Sequence, residues 1–265
     1  MQIQTLINPL HLEDLKNEMH SSIFTVSDAY DLFILRLPIV DGGLQGRSFG
    51  FVFTKQSSFY YDKEKQTFID FGDRFEGLHE FIDSWIDTLL VFFETYRENI
   101  VKMEEMLYGD SEPKNFMNQW LGLKRDILRI ERILIKSSET SLELIKQYTN
   151  QPSFPKDHYA DLHEHLDRVM RSATVQLSKL DYLYSFYNAR TSEKMNKMVY
   201  ILTIISAVFL PLNLVVGFFG MNTSGLPFAK GENGTLNAVF MMGVLLVISL
   251  FFGYIYKKIE KDKDG

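Results

Sequence analysis

Two uncharged apolar runs stand out in the alternation of hydrophobic and polar positions along this chain. The first is Met198–Asn222, MVYILTIISAVFLPLNLVVGFFGMN, and the second, beyond a short polar loop, is Thr235–Tyr256. Each is about as long as the roughly 20 residues that an α-helix needs to cross about 30 Å of hydrocarbon. Neither lies at the N-terminus, so neither has the placement of a removable signal peptide. The pattern predicts two membrane-spanning helices joined as a hairpin.

Upstream the period changes twice. From Met1 to about Asp73, β-rich runs (Tyr30–Pro38, stopped by the proline, then Ser48–Thr54, Ser58–Tyr61 and Gln66–Asp70) are separated by turns such as Asp41-Gly42-Gly43. The gaps are too short for crossover helices, so an antiparallel sheet in a small mixed α/β unit is expected. From Phe75 the apolar positions recur every three to four residues, through Leu78, Ile82, Trp85, Leu89, Phe93, Tyr96, Ile100 and Met103, until Gly109-Asp110. A second helix is expected from Pro113 to about Tyr148, with Trp120, Ile127 and Leu134 on its apolar face. After Pro155 only Pro211 and Gly217 interrupt the run to Phe218, so one helix of about 60 residues would be about 90 Å long. Such a helix reads as a stalk that enters the first span and needs partners along its length.

The predicted organisation is an α+β cytoplasmic domain with long helices and a continuous stalk helix into a two-helix transmembrane hairpin. Its segments are 1–73 (mixed α/β), 74–155 (long antiparallel helices), 156–197 (stalk), 198–220 (first span), 221–234 (external loop), 235–256 (second span) and 257–265 (basic tail). Lys194 and Lys197 precede the first span and Lys257, Lys258, Lys261 and Lys263 follow the second, whereas the loop carries only Lys230 and Glu232. An excess of lysine on one side places both termini in the cytoplasm of a multi-pass protein of the cell's inner (plasma) membrane.

Polar atoms make the first span more than an anchor. Pro211 removes a backbone donor in mid-helix, and Asn213 carries a carboxamide that is costly in lipid unless it faces protein or water. Asn196, Val199, Leu202 or Thr203, Ser206, Leu210, Asn213 and Gly217 recur at helical steps and share one face. That mixture suits a pore wall in a ring of helices, or a tight contact between helices.

Composition narrows the chemistry. The 265 residues include no cysteine, which excludes disulfides and thiolate metal sites. A formal net charge of −6 argues against a nucleic-acid surface and suits cation attraction. No HExxH, nucleophile elbow or Walker loop occurs, and no resident cofactor is implied, so an enzyme is not expected.

The segment Leu210–Asn222, LPLNLVVGFFGMN, followed by one more span and a basic tail, resembles the CorA family of divalent-cation transport proteins. It departs from many relatives at Phe219, where they have tyrosine, and Thr223–Pro227 looks somewhat like the zinc-associated ZntB branch. The resemblance implies a funnel-shaped homopentamer in membrane lipid, with five stalks and five first spans around an axis, carrying magnesium, cobalt or nickel inward. Gly220, Met221 and Asn222 would then form the pore mouth, with Asn222 offering neutral carboxamide oxygens to a hydrated ion; Asn222 also suits a helix C-cap. A neutral ring fits magnesium, which gives up its waters reluctantly. Asn213 would form a deeper polar ring, with Leu210, Leu202 and Val199 as apolar constrictions.

On the stalk, His158–His165 (HYADLHEH) resembles the stretch where CorA proteins place an acidic residue of an intersubunit magnesium sensor, and the matching position is Asp161. Ser185 stands where some relatives have a second aspartate. His158, Asp161 and His165 are also spaced to share a helical face, which can bind zinc or be plain solvated surface. Three functions follow: gated magnesium influx, a ZntB-like zinc carrier that can be proton-coupled, and a two-span scaffold or receptor that transports nothing.

Overall fold

A computed structural model describes residues 3–40, 43–109, 115–221 and 233–261. Two compact units make up the chain, Met1–Phe186 and Tyr187–Gly265. In the first, a 3-10 turn (Ile3–Thr5) and helix α1 (Pro9–Lys16) precede five strands: β1 (Ile23–Val26), β2 (Asp31–Val40), β3 (Leu44–Phe53), β4 (Ser58–Asp62) and β5 (Thr67–Asp70). The strands pair in chain order, antiparallel throughout. Helices α2 (Glu76–Tyr108) and α3 (Phe116–Tyr148) follow, then α4 (Lys156–Gly220), which belongs to both units, and α5 (Gly234–Lys261) in the second.

Both faces of the sheet are covered, and the register shows how. Leu32 pairs with Val52 and Ile34 with Gly50. These positions look toward α1, where Leu15, Ile7, Tyr30 and Tyr61 complete a buried cluster. Of the alternate positions, Phe33 stacks on Phe51, and Phe49, Phe51 and Phe53 meet aromatic rings of α2 and α3. Phe49 lies 5.0 Å from Trp85, Phe51 5.8 Å from Phe81, and Phe53 5.4 Å from Tyr148. Burying each such ring stabilises the unit by about 1.5–3 kcal/mol.

The β2 run does not stop at Pro38, as the sequence suggested. It continues to Val40, with Pro38 opposite Gly46. β1 flanks β2 only as far as Ile34, and the Arg36 N–H on the open side is taken by Ser22 Oγ at 2.9 Å. The nitrogen two residues on faces that same open side, where a missing donor costs no ladder bond. α1 and β1 were not foreseen. α1 is a helix of 8 residues, capped by the Asn8 side chain accepting from the Leu10 N–H.

α3 and α4 run antiparallel: Ser141 meets His163, Ser138 meets Asp167, Glu131 meets Thr174, and Lys124 meets Asp181. α2 and α4 run parallel, with Glu76 beside His158, Glu104 beside Lys179 and Tyr108 beside Tyr182. Trp120 Nε1–H donates to the Leu180 carbonyl at 2.8 Å and its ring stacks on Tyr184. A buried row of Ser137, Ser138, Thr140 and Ser141 on α3 is satisfied by hydrogen bonds, including one from Ser137 Oγ to the Arg36 carbonyl.

The second unit turns apolar side chains outward: Leu214 is 74%, Leu236 70% and Phe240 72% exposed. Among the described residues, α4 is the one helix long and apolar enough to cross a membrane; the apolar stretch of α5, Gly234–Ser249, falls short of that length. Pro211 lies inside α4 without ending it. The expected turn at Asp41-Gly42, the helix start at Pro113 and the loop from Asn222 to Glu232 lie outside the described residues.

Candidate functional site

The stripe expected to line a pathway lies on the later part of α4. Asn196, Val199, Leu202, Thr203, Leu210, Asn213 and Gly217 are exposed and Ser206 is half-buried. Thr203 Oγ1 donates to the Val199 carbonyl at 2.8 Å, so its hydroxyl is satisfied within its own helix. A Cβ added at Gly217 or Gly220 would meet nothing within 4 Å, so close packing inside one chain requires neither glycine. Met221 follows the last turn, its N–H reaching the Phe218 carbonyl at 3.4 Å. Asn222, the expected mouth residue, lies outside the described residues.

The histidine- and acid-bearing start of α4 divides between two neighbours. His163 faces α3, with Nδ1 2.9 Å from Ser141 Oγ. His158, Asp161 and His165 are one to two turns apart, yet they do not gather at one point. His158 Nδ1 lies 3.2 Å from Glu76 Oε2 on α2, and His158 groups with Glu76 and His79 so that one ligand atom from each lies within 4.8 Å of the others. His165 forms a similar group with Asp83 and Asp87, while its Nε2 is 3.7 Å from Asp161 Oδ1. His165 Nδ1 is buried with no hydrogen-bond partner. Glu164 is engaged elsewhere: Arg168, at 2.8 Å, holds its carboxyl below the usual carboxylate range.

The sequence reading missed the α2 side of these groups. Glu76, His79, Asp83 and Asp87 recur every three to four residues, a titratable stripe beside the apolar stripe used to find the helix. That periodicity was the available signal. Carboxylate and imidazole groups facing one another across two helices can hold a divalent cation, and the two groups differ in kind, one with two imidazoles and one with two carboxylates.

A family model described as CorA-like Mg2+ transporter protein matches residues 2–257. The chain belongs to the CorA family. The cobalt/magnesium transport protein CorA of Thermotoga maritima is 22% identical over 93% of this chain and 75% of its own length. The zinc transport protein ZntB of Yersinia enterocolitica is 21% identical over 64% of this chain and 52% of its own. Three further curated relatives match over 53%, 49% and 50% of their length, so the chain spans about half of each. Among solved structures, the complete CorA magnesium transporter of Methanocaldococcus jannaschii superposes with a TM-score of 0.76 at 16% identity, over 94% of this chain and 84% of that one. The fold is therefore that of CorA, an α+β domain with a long helix, and the CorA family comprises membrane transporters of divalent cations rather than enzymes.

Proposed function

We propose that this chain assembles as a homopentamer in the cell's inner membrane and admits hydrated magnesium, with cobalt or nickel as secondary ions. Both termini lie in the cytoplasm, the two spans form a hairpin, and residues 221–234 make the outer loop. The observation that carries this reading is the face of α4 from Asn196 to Gly217, polar or small at intervals and, apart from the half-buried Ser206, exposed in the single chain, which leads into Gly220-Met221-Asn222. Five copies of that face around an axis would surround a wet passage and relieve the cost of Asn213 in lipid. Asn222 and Asn213 supply neutral oxygen rings, and Val199, Leu202 and Leu210 the constrictions that close by excluding water.

Entry is driven by concentration and voltage. A doubly charged ion gains about 4.6 kcal/mol per 100 mV, inside negative. Asp161, at the start of the stalk, belongs to the sensor: carboxylates facing each other between copies repel until cytoplasmic magnesium bridges them, which holds the ring closed.

A zinc-carrying reading has its own support, the imidazoles of His158 and His165 set among acids together with the ZntB relatives. Flux into proteoliposomes with magnesium and zinc in competition, with and without a pH gradient, separates the two. Magnesium entry indifferent to pH is the expected result, and proton-dependent zinc entry would select the second reading. A protein that moves neither ion is a scaffold, and the proposal fails.

A further inference from the structure

We propose that Glu76, His79 and His158 form a site within one subunit for a borderline transition ion, zinc foremost, that staples the first turn of α2 to the first turn of α4. The inference goes beyond transport and holds whichever ion the pathway carries. It differs from the sensor role assigned to Asp161, because every ligand comes from the same chain and none is Asp161.

Geometry argues for an ion-sized gap. With zinc–ligand bonds of about 2.0–2.1 Å in a tetrahedron, ligand atoms lie about 3.4 Å apart. His158 Nδ1 and Glu76 Oε2 are already 3.2 Å apart, and His79 brings a ring nitrogen within 4.8 Å of a ligand atom of each. The two imidazole rings are 5.2 Å apart between centroids. The ligand atoms, within 4.8 Å of one another, are at most about 1.4 Å wider apart than that tetrahedral spacing.

The backbone that carries these ligands is held on both sides. Tyr159, next to His158, is buried and donates its hydroxyl to the Phe75 carbonyl at 2.9 Å, immediately before Glu76. Phe154 packs 4.8 Å from Tyr159 and 5.1 Å from Phe75. The two ligand-bearing turns are thus fixed by a buried aromatic cluster, which lowers the ordering cost of binding.

Chemistry selects the ion. Two imidazoles and one carboxylate are the ligand set of an open four-coordinate zinc site, which leaves one position for water. Magnesium requires oxygen ligands in an octahedron, and two of these three side chains offer nitrogen. His158 and Glu76 side chains are 58% and 53% exposed, so the ion reaches and leaves the site from solvent. Both turns also lie at the positive ends of their helices, which weakens cation binding and makes the site exchangeable.

The test uses the full chain in detergent, freed of metal and titrated with zinc against a chromophoric chelator in excess magnesium. Wild type should hold one more zinc per chain than His79→Gln/His158→Gln, while Asp83→Asn/Asp87→Asn retains that equivalent. Cobalt gives a second readout that needs no variant, since a four-coordinate nitrogen–oxygen site produces intense visible bands and a six-coordinate one only faint bands. Equal zinc stoichiometry in wild type and the histidine double variant, displacement of the ion by magnesium at equal concentration, or only faint cobalt bands would each overturn the site. Transport is not measured in this experiment, so its failure leaves the flux result untouched.

Discussion

The Tyr148 hydroxyl, at the end of α3, donates a hydrogen bond to the Asp31 carboxylate at the start of β2, 117 residues earlier in the chain. Both residues are buried, and the bond ties the C-terminal end of α3 to the edge where β2 begins. Burial, then the bond to Asp31 and its negative charge, raise the Tyr148 pKa above its ordinary value of 10.0. Tyr148→Phe leaves a buried carboxylate oxygen without its donor and should cost about 1–3 kcal/mol in urea unfolding. The sign with pH follows from linkage. A phenol whose folded pKa is raised contributes stability that is full below its unfolded pKa and is lost as pH rises toward the folded value. Wild type should therefore lose stability above pH 10, and the variant less steeply; an identical slope would remove Tyr148 as a cause.

Asn222→Ala and Asn222→Asp should both impair magnesium uptake with assembly intact. Losing the net worth of one amide hydrogen bond to the entering hydrated ion, about 1–1.5 kcal/mol, corresponds to about tenfold slower entry. Aspartate impairs for the opposite reason, because a charged ring holds the ion too firmly to release it. Fluorescent-indicator flux in proteoliposomes reads both, with gel filtration as the check on assembly. Wild-type flux in either variant removes Asn222 from the mouth.

Asp161→Asn should weaken the response to cytoplasmic magnesium. The expected outcome is that magnesium protects wild-type stalks from chymotrypsin and protects the variant at severalfold higher concentration, if at all. An unchanged magnesium dependence would take Asp161 out of the sensor and leave it as a partner of His165 alone.

Gly217→Leu separates packing within a chain from packing between copies. A side chain there meets nothing in its own chain within 4 Å, so helicity by circular dichroism should not change. Flux should fall, because in the proposed pentamer five added side chains on the exposed face would narrow a passage around the axis. A variant that conducts normally places Gly217 away from that axis.

Some of this was legible in the sequence and some was not, for identifiable reasons. The apolar period of α2, from Leu78 through Leu107, gave the helix and its buried face because burial repeats every three to four residues. The strands around Phe33, Phe51 and Tyr60 were found from their β-rich composition. The continuous rather than alternating burial of β2 and of the Ser48–Phe53 part of β3 needed α1 on the second face, and α1 is too short to announce itself. Pro38 misled because the rule against proline applies to strands paired on both sides, and pairing is a property of register rather than of local sequence. For the metal-binding groups, the sequence offered the α4 half, His158, Asp161 and His165. Their α2 partners lie some 80 residues away, as in the separation of 82 positions between Glu76 and His158, and only the parallel course of α2 and α4 brings them opposite. Of the Gly220-Met221-Asn222 motif, Gly220 and Met221 are among the described residues and Asn222 is not.

The outward leucines and phenylalanines of the Tyr187–Gly265 unit decide how the protein can be handled at the bench. Expressed whole and stripped of surfactant, the chain is expected to aggregate through those exposed apolar side chains. A stop codon after Phe186 would remove those residues and leave Glu76, His79 and His158 together in the Met1–Phe186 unit.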